Sequence, residues 1–288
     1  MGRPAKAEKV TNILEFDTDA IKRREQEVAQ ETDQEIVDRL RDRFQILTDM
    51  TKAVKQGTVR AMIVSGPPGV GKSFGVEEVL QKDDLFNTLS EKKPRYEIVK
   101  GAMSAIGLYA KLYEFSKAKS VVVFDDCDSI LMEDLSLNIL KGALDSSKRR
   151  FISWNTDSRI LRSEGIPDRF EFCGSAIFIT NIKFEHVRSK KLRDHLNALE
   201  SRCHYIDLQM DTNREKILRI KQIVNDGMLD DRDGLTTIAK DEVVEFVIKN
   251  QDKLRELSLR MVLKIADLRE GFPSNWEAMA RTTCMRRA

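Results

Sequence analysis

Cysteine is scarce in this chain and is not arranged for chemistry. The 288 residues hold four, Cys127, Cys173, Cys203 and Cys284. None forms a C-x-x-C pair, so neither a zinc site nor a disulfide framework is expected, and a reducing compartment is. Histidine is scarcer still. His186, His195 and His204 stand apart, with no cysteine or acid at ligand spacing, and read as surface or partly buried side chains. Long apolar runs are missing, and nothing approaches the length of a membrane span. Met1-Gly2-Arg3-Pro4-Ala5-Lys6 lacks the apolar centre of a signal peptide. The expectation is a cytoplasmic protein with no membrane partner. An excess of one charge is missing too: 49 Lys+Arg against 47 Asp+Glu leave a net charge of +2, so no global basic field argues for nucleic acid. With 41% hydrophobic and 33% charged residues, the chain suits a globular protein with long, charged helices.

What is present is a phosphate-binding loop. Ser65-Gly66-Pro67-Pro68-Gly69-Val70-Gly71-Lys72-Ser73 contains G-x-x-x-x-G-K-[ST]. A triphosphate needs many donors at close range, and Gly69 and Gly71 let the backbone approach without a Cβ in the way. Lys72 reaches the β- and γ-phosphates as a point charge, and the Ser73 hydroxyl is a Mg²⁺ ligand. The context fits. Arg60 to Ser65 reads as a short buried strand, and Phe74 to Leu80 as a helix whose start, near Lys72, aims its N–H groups at the anion.

Residues 1–31 read as a polar, flexible arm with at most a fragment of helix. Within it Gly2-Arg3-Pro4 is a three-residue echo of an AT-hook, outweighed by an ordinary disordered terminus. A helix is expected from the Thr32–Glu35 capping-box pair, along the stripe Ile36, Leu40, Phe44, Leu47, Met50 and Val54, to Gly57. Further strands are expected at Arg95–Lys100, Ser120–Asp126, Ala176–Asn181 and His204–Leu208. Helices are expected at Ala105–Phe115, Met132–Leu144 and Lys191–Arg202. Phe151–Trp154 and Phe170–Phe172 can pair as a small hairpin. After Met210, short helices take over. Asn213 is the expected cap of one running through Val224, Asp241–Lys249 forms a second, and Ser258 caps a third that ends before Gly271. Ser274 and Glu277 have capping-box spacing around Trp276. The order predicts an α/β domain over 32–210 with a parallel sheet, succeeded by a helical lid and tail over 211–288.

The run Val121 to Asp126 looks like a Walker B motif, an apolar strand ending in acids. Asp125 then holds Mg²⁺ and Asp126 polarises the attacking water. The plainer reading is a charged turn, with Asp126 or Asp128 capping the next element. Asn181, at the end of the next strand, is placed to hold the water or touch the γ-phosphate. Arg202 ends a helix, where a cation sits well for local reasons, yet an arginine there also serves a neighbouring subunit as an arginine finger. Arg260 lies with Lys264 and Asp267 on what is otherwise a solvated face.

Together these residues resemble the AAA+ ATPase family over roughly residues 35–270. Gly66 to Ser73 matches Walker A and Asp125-Asp126 matches Walker B. Asn181 matches sensor 1. Arg202, in Leu199-Glu200-Ser201-Arg202, matches the arginine finger, and Arg260, in Ser258-Leu259-Arg260, matches sensor 2. The resemblance implies a five-stranded parallel sheet with a helical lid, ATP and Mg²⁺ as cofactors, and a homo-oligomeric ring or spiral with nucleotide at subunit interfaces. It implies an ATPase that remodels a macromolecular partner.

Two features depart from the family. Asp126 stands where Glu is usual. Its carboxylate falls roughly 1.5 Å short unless the backbone shifts, and errors of that size cost on the order of 10²-fold in rate. Gly101 to Tyr109 also lacks an aromatic-apolar-glycine pore loop, and Tyr109 reads as core. Three basic clusters, Lys148-Arg149-Arg150, Arg188/Lys190/Lys191/Arg193 and Arg281/Arg286/Arg287, read as solvated faces, with no base-stacking aromatics interleaved. Aligned by assembly, they would contact phosphates. The alternative function is therefore a slow-hydrolysing, ATP-gated DNA-binding module resembling helicase loaders or transposition regulators.

Overall fold

The computed structural model describes residues 26–89, 93–184 and 187–286. The proposed arm up to residue 25, its AT-hook-like triplet, His186 and Arg287 lie outside the described residues. The chain divides into two compact units. One comprises Leu47–Ser65 and Val76–Asp207. The other comprises the described residues up to Ile46, Gly66–Gly75, and the chain from Leu208.

The first unit is built on a five-stranded, all-parallel sheet. Its strands are β1 (Ala61–Ser65), β2 (Tyr96–Lys100), β3 (Val121–Asp125), β6 (Ser175–Thr180) and β7 (His204–Asp207), in the order β2-β3-β6-β1-β7. The three central strands are buried along their whole length, the pattern of a sheet covered on both faces. Ile63, Phe124 and Phe178 face one core, together with Leu108 and Leu112 of α3 (Ala105–Glu114), Leu137 and Leu140 of α5 (Asp134–Ala143) and Leu196 of α7 (Lys190–Glu200). Met62, Val123 and Ile177 alternate with them and are equally buried. Helix α1 (Asp33–Gln56) ends at Gly57, whose φ of 81° only glycine adopts without strain. Helix α2 is Lys72–Leu89. The helix expected over Met132–Leu144 is α5, and a further short helix, α4 (Ser129–Met132), precedes it, the two parted by the extended backbone of Glu133.

The hairpin forms as β4 (Phe151–Ser153) and β5 (Arg169–Glu171), antiparallel, with Ile152 opposite Phe170 and α6 (Arg159–Ser163) between them. Tyr109 holds it. The ring is fully buried, packs edge-on to Phe170, and donates its hydroxyl to the Pro167 carbonyl at 2.9 Å. This matches the reading of Tyr109 as core. Arg150 is buried as well, donating to the carbonyls of Ala143 and Gly174 at 2.9 Å each. Lys148-Arg149-Arg150 is therefore not one basic patch, because its third member ties down the base of the hairpin.

The second unit is mainly helical and includes the loop Gly66–Gly71 with the first turn of α2. It contains α8 (Asn213–Asn225), α9 (Thr237–Lys249), α10 (Leu259–Gly271) and α11 (Trp276–Cys284), which share an apolar core around Val243, Val262, Ile265 and Ala280. Caps corrected the expected boundaries. Thr212, not Asn213, caps α8, because Thr212 and Glu215 complete a reciprocal capping box. Thr236 starts α9 a turn earlier than Asp241. Asn275, without a side-chain cap bond, precedes α11 in place of the Ser274–Glu277 box. Ser258 caps α10 as expected, accepting from the Met261 N–H at 3.2 Å, although the helix includes Gly271. The start of α1 lies in this unit. Thr32 and Glu35 form their box, and Arg214 of α8 reaches the Val28 and Glu31 carbonyls and the Asp33 carboxylate.

Candidate nucleotide site

The chain leaves β1 at Ser65, passes through Gly66–Gly71, and enters α2 at Lys72, which is the strand–loop–helix order that the motif requires. Gly69 and Gly71 have φ of 70° and 100°. Left-handed residues alternating with ordinary ones give the backbone pattern of an anion-binding nest. Lys72 is 5% exposed, and its ammonium is folded onto the loop, donating to the carbonyls of Gly66 at 2.6 Å and Pro67 at 2.9 Å. Val70 is packed with Ile36, Leu40, Met210 and Leu218, so apolar side chains from two helices support the loop from outside.

The start of α10 touches the loop directly. The Leu259 N–H donates to the Gly69 carbonyl at 2.8 Å, and a Cβ at Gly69 would lie 2.7 Å from the Ser258 Cβ and 3.6 Å from the Arg260 Cγ. Arg260 is thus next to the loop, exposed, and without an ion pair among the described residues. Ser258 and Leu259 are structural partners of the loop that sequence reading treated only as a cap and a core residue.

The acids belong to the sheet-bearing unit. Asp125 is the last residue of β3, 5% exposed, with the Lys100 ammonium 3.8 Å from its carboxylate. Asp126 comes next in a left-handed conformation, φ 54°, its N–H bonded to the Ile179 carbonyl. Asp and Asn tolerate that region better than other L residues. The Asn181 side-chain amide donates to the Asp126 carboxylate at 2.9 Å, so the structure pairs these two predicted residues. Asn181 stands one residue beyond β6 rather than within it. Asp128 makes no side-chain cap bond to α4; it accepts from the Thr180 hydroxyl at 2.7 Å. Asp128 does stand at the N-cap position of α4, as the plainer reading has it, without a side-chain bond to the helix. The Cys127 thiol between Asp126 and Asp128 is pushed up to about 11, first by burial and then by the flanking carboxylates.

Arg202 is not beside these acids. It precedes β7, whose first residue His204 pairs with Met62, whereas Asp207 pairs with Ser65. Arg202 therefore lies at the N-terminal edge of the sheet, and Asp125, Asp126 and Asn181 at the C-terminal edge. Its guanidinium caps α7 through the Ala198 carbonyl, the ordinary role of a cation at a helix C-terminus. The Cys203 thiol beside it, largely buried, is pushed up to about 12.

A five-stranded parallel sheet whose first strand runs through a glycine-rich loop into a helix defines a P-loop NTPase-like α/β protein. No protein-family model matches the chain. A curated relative does: the uncharacterized 36.7 kDa protein in the nrdC-mobD intergenic region of Enterobacteria phage T4. It is 32% identical over 256 residues, which is 88% of this chain and 77% of that protein. The chain belongs to the same family as that phage protein. Among solved structures, NtrX from Brucella abortus in complex with ATP is similar with a TM-score of 0.43 and 11% identity, over 88% of this chain; the match spans 53%, about half, of the NtrX chain. Among the described residues, no helix is long and apolar enough to cross a membrane.

Proposed function

We propose that this chain is an ATP-binding and ATP-hydrolysing AAA+ protein that assembles into a homo-oligomer and remodels a macromolecular partner in the cytoplasm. The observation that carries the reading is the loop itself: left-handed Gly69 and Gly71, then Lys72 and Ser73 opening an 18-residue helix. Backbone N–H groups of Gly66 to Ser73 and the helix N-terminus hold the phosphates, and Lys72 exchanges its loop carbonyls for phosphate oxygens. The Ser73 hydroxyl and the Asp125 carboxylate are the hard oxygen donors that Mg²⁺ prefers, and the ion neutralises charge on the phosphate oxygens. Asp126, oriented by Asn181, takes the proton of the attacking water. Arg260 tracks the nucleotide from the start of α10, with residues from 211 on acting as a lid. Arg202 serves the site of a neighbouring copy.

Lys72→Ala tests the reading. The variant should keep its fold and lose ATP binding or turnover; unchanged turnover removes the assignment.

A second reading, an ATP-gated DNA-binding module with slow hydrolysis, is favoured by one observation. Phe151, 38% exposed on the hairpin, lies between the guanidiniums of Arg149 and Arg169, at 5.0 and 4.5 Å from its ring. Here an exposed aromatic is interleaved with basic residues, which the sequence did not reveal, and stacking on such a ring binds single strands without regard to base. Anisotropy of a labelled single-stranded oligonucleotide, with and without ATP, separates the two. Salt-sensitive, ATP-dependent binding lost in Phe151→Ala supports the module, and no binding in either state removes it.

A further inference from the structure

Two arginines meet at one end of the sheet. β1 and β7 are parallel neighbours whose pairing begins with Met62 opposite His204. Arg60 immediately precedes β1, and Arg202 lies in the turn that precedes β7. Both line one cavity of about 440 Å³, together with Thr58, Asp145, Ser146 and His204. Two guanidiniums on one cavity repel each other unless an anion lies between them. Asp145 does not fill that role. Its carboxyl is held below the usual range chiefly by hydrogen bonds from the Ser147 hydroxyl and N–H, with Arg202 a lesser cause. Neither arginine forms an ion pair among the described residues. Arg60 commits Nη1 to the Asp145 and Ser147 carbonyls, at 3.0 Å each. Arg202 keeps an enclosed Nε with no hydrogen-bond partner, and a buried donor left unpaired is costly. Two cations and the hydroxyl-bearing Thr58 and Ser146 around one hollow are the donor set for a phosphate.

We propose that this cavity receives the terminal phosphate of a nucleotide held by a second copy of the chain, and that Arg60 contacts that phosphate beside Arg202. The inference rests on the ATPase reading above. The second copy is required by the sheet: Arg60 stands five residues before the C-terminal end of β1, roughly 15 Å from the edge that carries Asp125 and Asp126 at about 3.3 Å per residue. Sequence spacing carries no sign of Arg60, because Arg202 is 142 positions away and only the fold brings both to one cavity.

The test is complementation. Arg60→Gln keeps a donor for the two carbonyls and removes the charge; Arg60→Lys keeps the charge. In the intact protein, Arg60→Gln should lower kcat by ~10²-fold, the usual loss for one donor to developing charge. Its affinity for a fluorescent ATP analogue should be unchanged, and Arg60→Lys should recover part of the rate. Mixing Arg60→Gln with Lys72→Ala should raise turnover well above that of either variant alone, because one copy supplies the loop and the other the arginine. Wild-type turnover by Arg60→Gln, or no restoration on mixing, overturns the assignment while leaving the ATPase reading standing. A wild-type protein that hydrolyses nothing at any concentration overturns both.

Discussion

Replacing Gly69 by alanine measures how tightly the phosphate loop is tied to the start of α10. The structure sets the size of the effect. An L residue at φ 70° costs about 1–2 kcal/mol. The new Cβ would lie 2.7 Å from the Ser258 Cβ and 3.0 Å from its Oγ, so Ser258 must move. Moving it loosens a cap worth about 1 kcal/mol and strains the Leu259–Gly69 hydrogen bond, worth about 1 kcal/mol. The sum is about 3 kcal/mol, a fall in Tm of about 6–12 °C for a chain of this size. Gly57→Ala is the control. It has the same kind of backbone, φ 81°, with nothing within 4 Å of the added carbon, so only the conformational cost remains, about 2–8 °C. Thermal unfolding by circular dichroism compares the two variants. Ser258→Gly in the Gly69→Ala background should recover part of the loss. Equal shifts in Gly57→Ala and Gly69→Ala, or no recovery in the double variant, would refute the contact.

Other outcomes depend on single interactions. Asn181→Ala removes the 2.9 Å bond to Asp126; turnover should fall by ~10²-fold with ATP affinity unchanged, and a fall in affinity alone would contradict the role. Gly174→Ala puts a Cβ 2.1 Å from the Phe115 backbone carbonyl, so soluble, folded protein should be lost; a normal melting curve would show that the strand approach is wrong. Glu35 is held below its ordinary pKa by the Thr32 N–H and hydroxyl. A depressed carboxyl contributes stability above the unfolded pKa and loses it as pH falls through the folded one. Glu35→Ala should therefore melt earlier than wild type at pH 7 and together with it near pH 3, by calorimetry.

The strands were legible because buried parallel strands are written as short apolar runs: Val121 to Phe124 and Ala176 to Ile179 have no other comfortable structure. The loop was legible because phosphate chemistry restricts its residue types. Helix starts were less so, since Thr212 and Asn213 both cap well and the reciprocal bond from Glu215 decides between them. Charge clusters misled most. Lys148, Arg149 and Arg150 are adjacent in sequence, yet Arg150 turns inward to two carbonyls while Arg149 pairs with Glu171 and lies over Phe151. The reverse holds for Arg60 and Arg202, distant in sequence and brought by the fold to one cavity. The left-handed backbone of Asp126 was invisible as well, and it bears on how far a short carboxylate reaches.

ATP turnover per mole of protein, measured across a wide range of protein concentration, tests the central claim most directly. The acids and Arg202 lie at opposite ends of the strands of one sheet, so the proposed function requires a second copy to complete each site. Specific activity should rise steeply and then saturate, and Arg202→Ala should remain low throughout while still binding ATP. Constant activity down to concentrations at which mass measurement shows a monomer would contradict the account.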